Sequence, residues 1–213
     1  MTHDPIAFLK TTFPDLFAKG VQKLESKASA GDARAQAHLA DVKGANGAVV
    51  LHVEGEGEVY LKVEDGTMSV LDAAPAPDSV NLAVAAPGDA LRMLLGEAED
   101  AGELEEEKAA MRAVGTASKR LQDALGQDSL EFHVIATDVP ELDEVIVRVG
   151  LNAPKPPEEP KFTATINYDD LEAARDGELN VQQLFMGGKL RMAGDYSRAL
   201  QLGMQLMQQM QQG

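Results

Sequence analysis

The amino-acid sequence predicts an α+β protein: antiparallel-rich sheets covered by helices, in two tandem modules of which the first lacks the final strand and helix. Three observations support this prediction. Two groups of segments alternate apolar and polar residues, as half-buried strands do. Stretches with apolar residues three and four positions apart, the spacing of amphipathic helices, surround both groups. The same succession of elements also recurs at a distance of 81 residues.

The first half begins with helices. Apolar spacing predicts helical structure over residues 5–42, with a break or a new first turn at Pro14. Residues 48–53 and 58–63 then predict a hairpin, because the second run alternates and a glycine-containing turn separates the two. Two further strands and a helix that begins after Pro87 complete this half, at residues 67–71, 80–85 and 88–95.

The second half begins after an acidic segment, residues 98–103, which is predicted to be a solvated linker. A helix is expected to follow to about Leu125, and residues 130–136 and 144–149 are expected to form a second hairpin. The proline-rich residues 154–160 predict a stiff surface connection. The remaining elements are a strand, two short helices, a strand and a final helix, at residues 162–168, 169–175, 181–186, 189–193 and 197–211.

The internal repeat relates the two halves. Residues 51–53 (Leu-His-Val) and 132–134 (Phe-His-Val) lie 81 positions apart, and each triplet is followed by a turn, a matching strand and a later helix. The copies are unequal, since the first has no counterpart of residues 181–213 and the second has the proline-rich connection in place of a third strand. We therefore predict modules at residues 1–97 and 104–213, and the sequence leaves open whether they share one sheet or cavity.

Composition excludes several classes of function. The 213-residue chain has 35 acidic and 19 basic residues and a formal net charge of −16, so phosphate backbones and anionic surfaces repel it at long range. The absence of cysteine excludes disulfides, thiolate zinc sites, iron–sulfur clusters and cysteine nucleophiles. The first residues show no signal-peptide pattern, and no apolar run is long enough to span a membrane. We expect a soluble, cytoplasmic protein that does not bind nucleic acid.

No arrangement of side chains in the sequence indicates catalysis or metal binding. The four histidines, at positions 3, 38, 52 and 133, are not spaced as metal ligands, and the acidic residues do not follow a calcium-loop pattern. No nucleophile elbow, phosphate-binding loop or zinc-protease motif occurs. The sequence therefore predicts no catalytic residue, no metal ligand and no cofactor, and hydrolysis of lipid-like esters is the weakest function considered.

The carboxy-terminal segment is the most informative part of the sequence. Leu190 and Met192 alternate with Lys189 and Arg191, which predicts a strand with one apolar and one cationic face. The helix that follows has a glutamine face and a wide apolar strip, formed by Leu200, Met204 and Met207 with Ala199, Gly203, Leu206 and Met210 beside them. Two interpretations stay open: the helix packs on a core, or it forms a lid over an apolar cavity.

This segment also differs in charge from the rest of the chain. Between residues 188 and 210 the sequence has one acid, Asp195, against Lys189, Arg191 and Arg198. If the protein visits a membrane to exchange lipid, this end is the least repelled. We therefore expect it to make a transient membrane contact.

Several motifs near the carboxy terminus resemble those of one known family. They are Tyr168-Asp169-Asp170-Leu171, Gly177-Glu178-Leu179, and the run from Leu184-Phe185 through Gly188-Lys189-Leu190 to Gly194-Asp195. In this order and spacing they resemble the carboxy-terminal half of the sterol carrier protein type 2 domain. The hairpin at residues 130–149 fits that family's first two strands. The resemblance covers residues 104–213, and residues 1–97 resemble a partial second copy.

The resemblance implies a five-stranded α+β domain with an apolar tunnel between the sheet and the helices. It also implies non-enzymatic binding, with transfer or presentation, of a sterol, fatty acyl chain, phospholipid or isoprenoid. By analogy with the family, the residues expected to line the tunnel are Phe132, Val134, Phe162, Ile166, Phe185, Met186, Leu190, Met192, Leu200, Met204 and Met207. The alternative is an interaction or scaffold protein that keeps the fold without a ligand cavity. The sequence specifies neither the ligand nor the oligomeric state.

Overall fold

A single sheet forms the centre of the molecule in the computed structural model, which describes residues 4–105 and 107–211. The eight strands of these residues follow the order β3-β2-β1-β4-β6-β5-β7-β8. The predicted α+β class, with a sheet covered by helices, is confirmed. The strands are β1 (Gly47–Glu54), β2 (Gly57–Glu64), β3 (Thr67–Leu71), β4 (Val80–Pro87), β5 (Leu130–Val139), β6 (Asp143–Leu151), β7 (Phe162–Asn167) and β8 (Leu190–Gly194).

The helices precede and follow the strands of each half. A π-helical turn, Phe8–Thr12, joins the first two helices, and 3₁₀ turns occur at Pro77–Ser79 and Glu103–Glu105. In the described residues the α-helices are α1 (Pro5–Ala7), α2 (Phe13–Ser29), α3 (Ala33–Gly44), α4 (Gly88–Asp100), α5 (Glu107–Val114), α6 (Lys119–Leu125), α7 (Tyr168–Arg175), α8 (Val181–Met186) and α9 (Ser197–Gln211).

The two halves of the chain share the sheet. The first half contributes β1 to β4 on one side, and the second half contributes β5 to β8 on the other. They meet where residues 82–85 of β4 pair antiparallel with residues 148–151 of β6. Each half also contains an antiparallel hairpin whose first strand pairs in parallel with a later strand, β1 with β4 and β5 with β7. The question left open by the repeat is thereby answered, because the two halves form one continuous sheet.

The first hairpins follow directly from the local sequence. In β2, Val59, Leu61 and Val63 are buried on one face, as the alternation predicts. The chain turns from β2 into β3 through Asp65 and Gly66, whose φ angles of 51° and 75° are both positive. Asp-Gly favours the type I′ turn, whose twist matches that of the paired strands.

Three groups of helices cover one face of the sheet. Helices α2, α3 and α5 pack over β1 and β2, α6 and α9 pack over β5 and β7, and α4 and α7 pack over one end of β5 and β6. Helix α5 belongs to the second half in sequence but packs on α2 of the first half. Gly20 permits this close approach, since a Cβ placed there would lie 2.3 Å from Val114 Cγ2.

The opposite face carries loops, polar side chains and a small buried apolar cluster formed by Ala48, Val50, Val80 and Ala83. The proline-rich connection crosses β6 at Gly150, whose missing side chain leaves room for it. His133 Nε2 lies 3.1 Å from the Pro157 carbonyl oxygen, and His52 Nδ1 lies 3.3 Å from Glu58 Oε1. Both histidines therefore make local contacts on the face opposite to that of Val53 and Val134, as the alternation indicates.

One predicted helix is interrupted. The helix predicted to reach Leu125 ends as α5 at Val114, and α6 begins only after Ser118. Gly115 follows α5 directly and disfavours its continuation. The Ser118 Oγ then accepts a hydrogen bond of 3.1 Å from the backbone N–H of Leu121, which starts a new helix.

Another helix is longer than predicted. The helix expected over residues 88–95 continues as α4 to Asp100, so part of the predicted acidic linker is helical. Gly96 disfavours helix and suggested an end there. In the structure, Tyr168 of α7 donates a 2.7 Å hydrogen bond to Glu97 Oε2 and holds the following turn against the second half.

Candidate functional site

Strand register brings six of the predicted lining residues onto one face of the sheet. Residues paired across neighbouring strands point to the same face. The pairings of β5, β7 and β8 place together Phe132, Val134, Phe162, Ile166, Leu190 and Met192. This face is the one covered by helices, because Phe132, Phe162 and Met192 pack with side chains of α6 and α9.

The two phenylalanines contact each other on this face. The rings of Phe132 and Phe162 are stacked, with centroids 5.0 Å apart and planes inclined by 11°. Phe162 and Ile166 are buried, whereas Phe132 and Val134 are only partly buried. The buried pair belongs to the core, and the partly buried pair retains some accessible apolar surface.

This accessible surface continues across β5 into β6. Phe132 pairs with Val149, and Val134 pairs with Val147, and all four side chains are partly buried. We call these four residues the central strip. It lies between the α6–α9 group at one end of the strands and the α4–α7 group at the other. Val147 and Val149 are not among the predicted lining residues, although the alternation of β6 places them on this face.

Helix α9 faces the sheet with a different strip from the one predicted. Leu202 is buried against Leu125, Leu130 and Phe162, with Ala199 and Leu206 beside it, in the cluster under α6 and α9. Leu200 and Met204 are exposed. The side chain of Met207 lies outside the described residues. The spacing of Ala199, Leu202 and Leu206 is also three and four, so the signal for the buried strip was present in the sequence.

Helix α8 likewise buries a residue that is not among the predicted lining residues. Leu184 is buried, whereas Phe185 and Met186, both predicted to line the ligand, are exposed. The helix begins with a capping box in which the side chains of Asn180 and Gln183 each bond to the other's backbone N–H. The structure thus groups the six sheet residues and separates them from the exposed side chains on α8 and α9. Their role as ligand contacts stays a prediction.

A small pocket lies at the junction of the two halves. Its volume is about 50 Å³, compared with roughly 300–1,000 Å³ for ordinary small-molecule sites. Leu121, Leu125 and Leu151 belong both to its wall and to the cluster under α9. This pocket is too small for a lipid, and the tunnel stays a prediction. The remaining wall comes from both halves and includes Ala45, Val49, Val63, Asn81, Leu82, Ala117, Gln122 and Asn152.

The pKa of one group beside this face departs strongly from its ordinary value. Burial of Tyr168, together with its hydrogen bond to the Glu97 carboxylate, raises the pKa of the phenol well above the usual range. The hydroxyl therefore stays protonated and serves as a donor that joins α4 to α7.

Residues 4–105 and 107–211 contain neither a cluster of metal ligands nor a membrane-spanning helix. This part of the chain has no group of three or more His, Asp or Glu side chains placed to hold a metal ion. Within the same part, every helix is too short or too polar to cross a bilayer.

Comparison with known proteins identifies the family. Neither the curated proteins nor the solved structures contain a match to the chain. A family profile described as the SCP-2 sterol transfer family matches residues 102–209, more than half of the 213 residues. The match covers β5 to β8 and α5 to α9, and so includes the central strip and nearly all of the helices around it. The chain therefore belongs to the SCP-2 sterol transfer family.

Proposed function

We propose that the protein binds one apolar, lipid-like molecule on the helix-covered face of its second half and transfers or presents it without chemistry. A sterol, fatty acyl chain, phospholipid or isoprenoid would fit this chemistry. The observation that carries the proposal is the shared face of six apolar residues within the segment that matches the family. The partly buried central strip provides the surface against which such a molecule would lie.

Apolar contact would supply most of the binding free energy. Each Å² of apolar surface removed from water contributes about 25 cal/mol. The junction pocket of about 50 Å³ is too small for such a molecule, so we propose that a covering element moves to let it lie on the central strip. Helix α9 is suited to this movement, since its apolar contact with the sheet comes mainly from Leu202, Leu206 and Ala199.

We further propose that the chain consists of the two modules predicted from the repeat, residues 1–97 and 104–213. The pairing of β4 with β6 supports this division in a particular way. Strand β6 lies where the first module would have its missing last strand, and β4 lies where the second would have its missing third strand. Each module thus completes the sheet of the other, and the ligand surface belongs to the second.

The binding proposal is tested by extraction. Purified protein is extracted with organic solvent and analysed by mass spectrometry, and stripped protein is titrated with a fluorescent fatty acid. We expect a co-purified lipid or a saturable titration. Val134→Phe fills the central strip and should weaken binding about tenfold or more. Val70→Phe, on the exposed edge of β3 in the first half, is the matched control and should bind as the wild type does.

The second candidate is a scaffold that keeps the fold without a ligand. The small volume of the junction pocket favours it. A protein that carries no extractable lipid and shows no saturable titration would contradict binding and support the scaffold. If Val134→Phe and Val70→Phe weaken fatty-acid binding equally, the result would instead contradict the assignment of the site to the central strip.

A further inference from the structure

The exposed apolar side chains are unevenly distributed over the molecule. Among the described residues, the four most exposed large hydrophobic side chains are Met186 (78%), Met204 (53%), Phe185 (44%) and Leu200 (43%). All four lie on α8 and α9, the helices that flank the edge strand β8 in the chain. We call these four residues the apolar edge. The four side chains thus lie within residues 185–204 of the chain, and we take this segment as an interaction surface.

The charge of the same segment is also distinct. Residues 181–211 contain three cations and one acid, a net charge of +2 in a chain whose total is −16. Lys189 is paired with Asp170, and Arg198 lies 3.0 Å from Asp128. Arg191 is exposed and has no such partner among the described residues. The rest of the chain therefore carries −18, and this segment is the part that negative headgroups do not repel.

We propose that the apolar edge docks on the surface of a lipid bilayer. Phe, Met and Leu side chains insert at the boundary between headgroups and acyl chains, and the glutamines of α9 remain among the headgroups. The occupant is a membrane and not a second protein chain, because the exposed area is small. Four side chains at these exposures offer on the order of 400 Å², about half of what each partner buries in a stable protein complex.

The charge distribution orients the protein during docking. Anionic lipid repels the acidic remainder of the molecule and turns the segment 181–211 toward the membrane. The acidic remainder opposes approach to an anionic surface, while Arg191 offers one local attraction. Binding to neutral phosphatidylcholine vesicles should therefore exceed binding to vesicles doped with phosphatidylserine at low salt, and added salt should reduce the difference.

The test is vesicle flotation of the full chain with phosphatidylcholine vesicles. Met186→Glu combined with Met204→Glu places two charges on the apolar edge and should lower the bound fraction about tenfold or more. The matched control is Val70→Glu combined with Leu94→Glu, which adds the same charge at side chains that are 38% and 37% exposed outside the segment. The control should float as the wild type does. Circular dichroism verifies that both variants are folded.

Two results would overturn the proposal: a wild type that does not float with either vesicle type, and an equal loss of vesicle binding in both double variants. A wild type that fails to float and also dimerises in light scattering is a special case of the first. The last result would assign the apolar edge to a second copy of the chain. Since the ligand titration is made without vesicles, failure of docking leaves the binding proposal standing, and failure of binding leaves the docking result standing.

Discussion

At the scale of single residues, Tyr168 connects the two halves of the chain. It is buried at the start of α7 and donates its 2.7 Å hydrogen bond to Glu97 Oε2, near the end of α4. Its ring packs with Ala90, Ala136 and Val145, so both halves contribute to its surroundings. A charge-assisted hydrogen bond in a buried setting is stronger than an exposed one.

Tyr168→Phe is expected to destabilise the protein by about 1–2 kcal/mol, because the Glu97 carboxylate loses its donor while the ring remains. Urea denaturation at neutral pH measures the change. Tyr196→Phe is the matched control, since Tyr196 packs with the α6–α9 cluster and its hydroxyl group makes no hydrogen bond within residues 4–105 and 107–211. Equal effects of the two substitutions would contradict the role given to this hydrogen bond.

The pH dependence of stability has a definite sign. Folding raises the pKa of Tyr168 above that of an unfolded tyrosine, which is about 10, so the protonated form is favoured in the folded state. Its stabilising contribution is present below pH 10 and is lost as the pH rises toward the folded-state pKa. The free energy of unfolding should therefore fall above about pH 10. In Tyr168→Phe the free energy of unfolding should fall less steeply with pH, and an unchanged slope would show that other groups cause the loss.

The sequence predicted the residues of the sheet face better than those of the helices. Apolar residues largely alternate with other residues in β7 and β8 and, apart from Ile135, in β5. This pattern indicates the common face of Phe132, Phe162 and Ile166. Helix α9 has two apolar strips with helical spacing. Periodicity describes both, and only packing against Leu125 and Leu130 decides that Leu202 faces inward.

At the scale of elements, α9 is held by a few apolar side chains and by Arg198, which donates a 3.0 Å hydrogen bond to the Ala124 carbonyl oxygen. Leu202→Ala should lower stability or release α9 locally, with a cost of about 2–4 kcal/mol for a buried leucine. Leu200→Ala is the matched control on the same helix and should cost much less, because Leu200 is exposed. Limited trypsin digestion at Arg198, combined with urea denaturation, measures both. Faster cleavage of the Leu200 variant than of the Leu202 variant would reverse the assigned orientation.

The break between α5 and α6 marks the limit of helix prediction from periodicity. The spacing predicts one continuous helix to about Leu125, with Met111, Val114, Leu121 and Leu125 on its buried side. The structure instead packs α5 on α2 of the first half and α6 beside α9 of the second. Two different partners require a change of direction, and local spacing contains no information about partners.

At the scale of the whole molecule, the shared sheet predicts cooperative unfolding. The β4–β6 pairing and the contact of α5 with α2 both cross between the halves. We expect a single unfolding transition in urea. The amide protons of β1 and β7 should lose their protection from hydrogen exchange at the same midpoint. Two separate midpoints would show that the halves unfold independently and would contradict this prediction.

The sequence predicted the strands of this sheet but not the joint between its halves. The hairpins are local, and their turns and alternation are visible in short segments. The β4–β6 pairing joins residues 82–85 with residues 148–151. An edge of β4 offers the same backbone groups to any strand, so the choice of partner depends on the rest of the fold.

The joint between β4 and β6 has a consequence for synthesis on the ribosome. Residue 82 leaves the ribosome about 70 residues before its partner, residue 151. At about 5–20 residues per second, one edge of β4 therefore stays unpaired for on the order of 3–14 s. During that time a nascent chain displays an apolar strand, Val80–Pro87, to other chains and to chaperones. The order in which the halves are translated therefore exposes the first one to aggregation until the second has emerged.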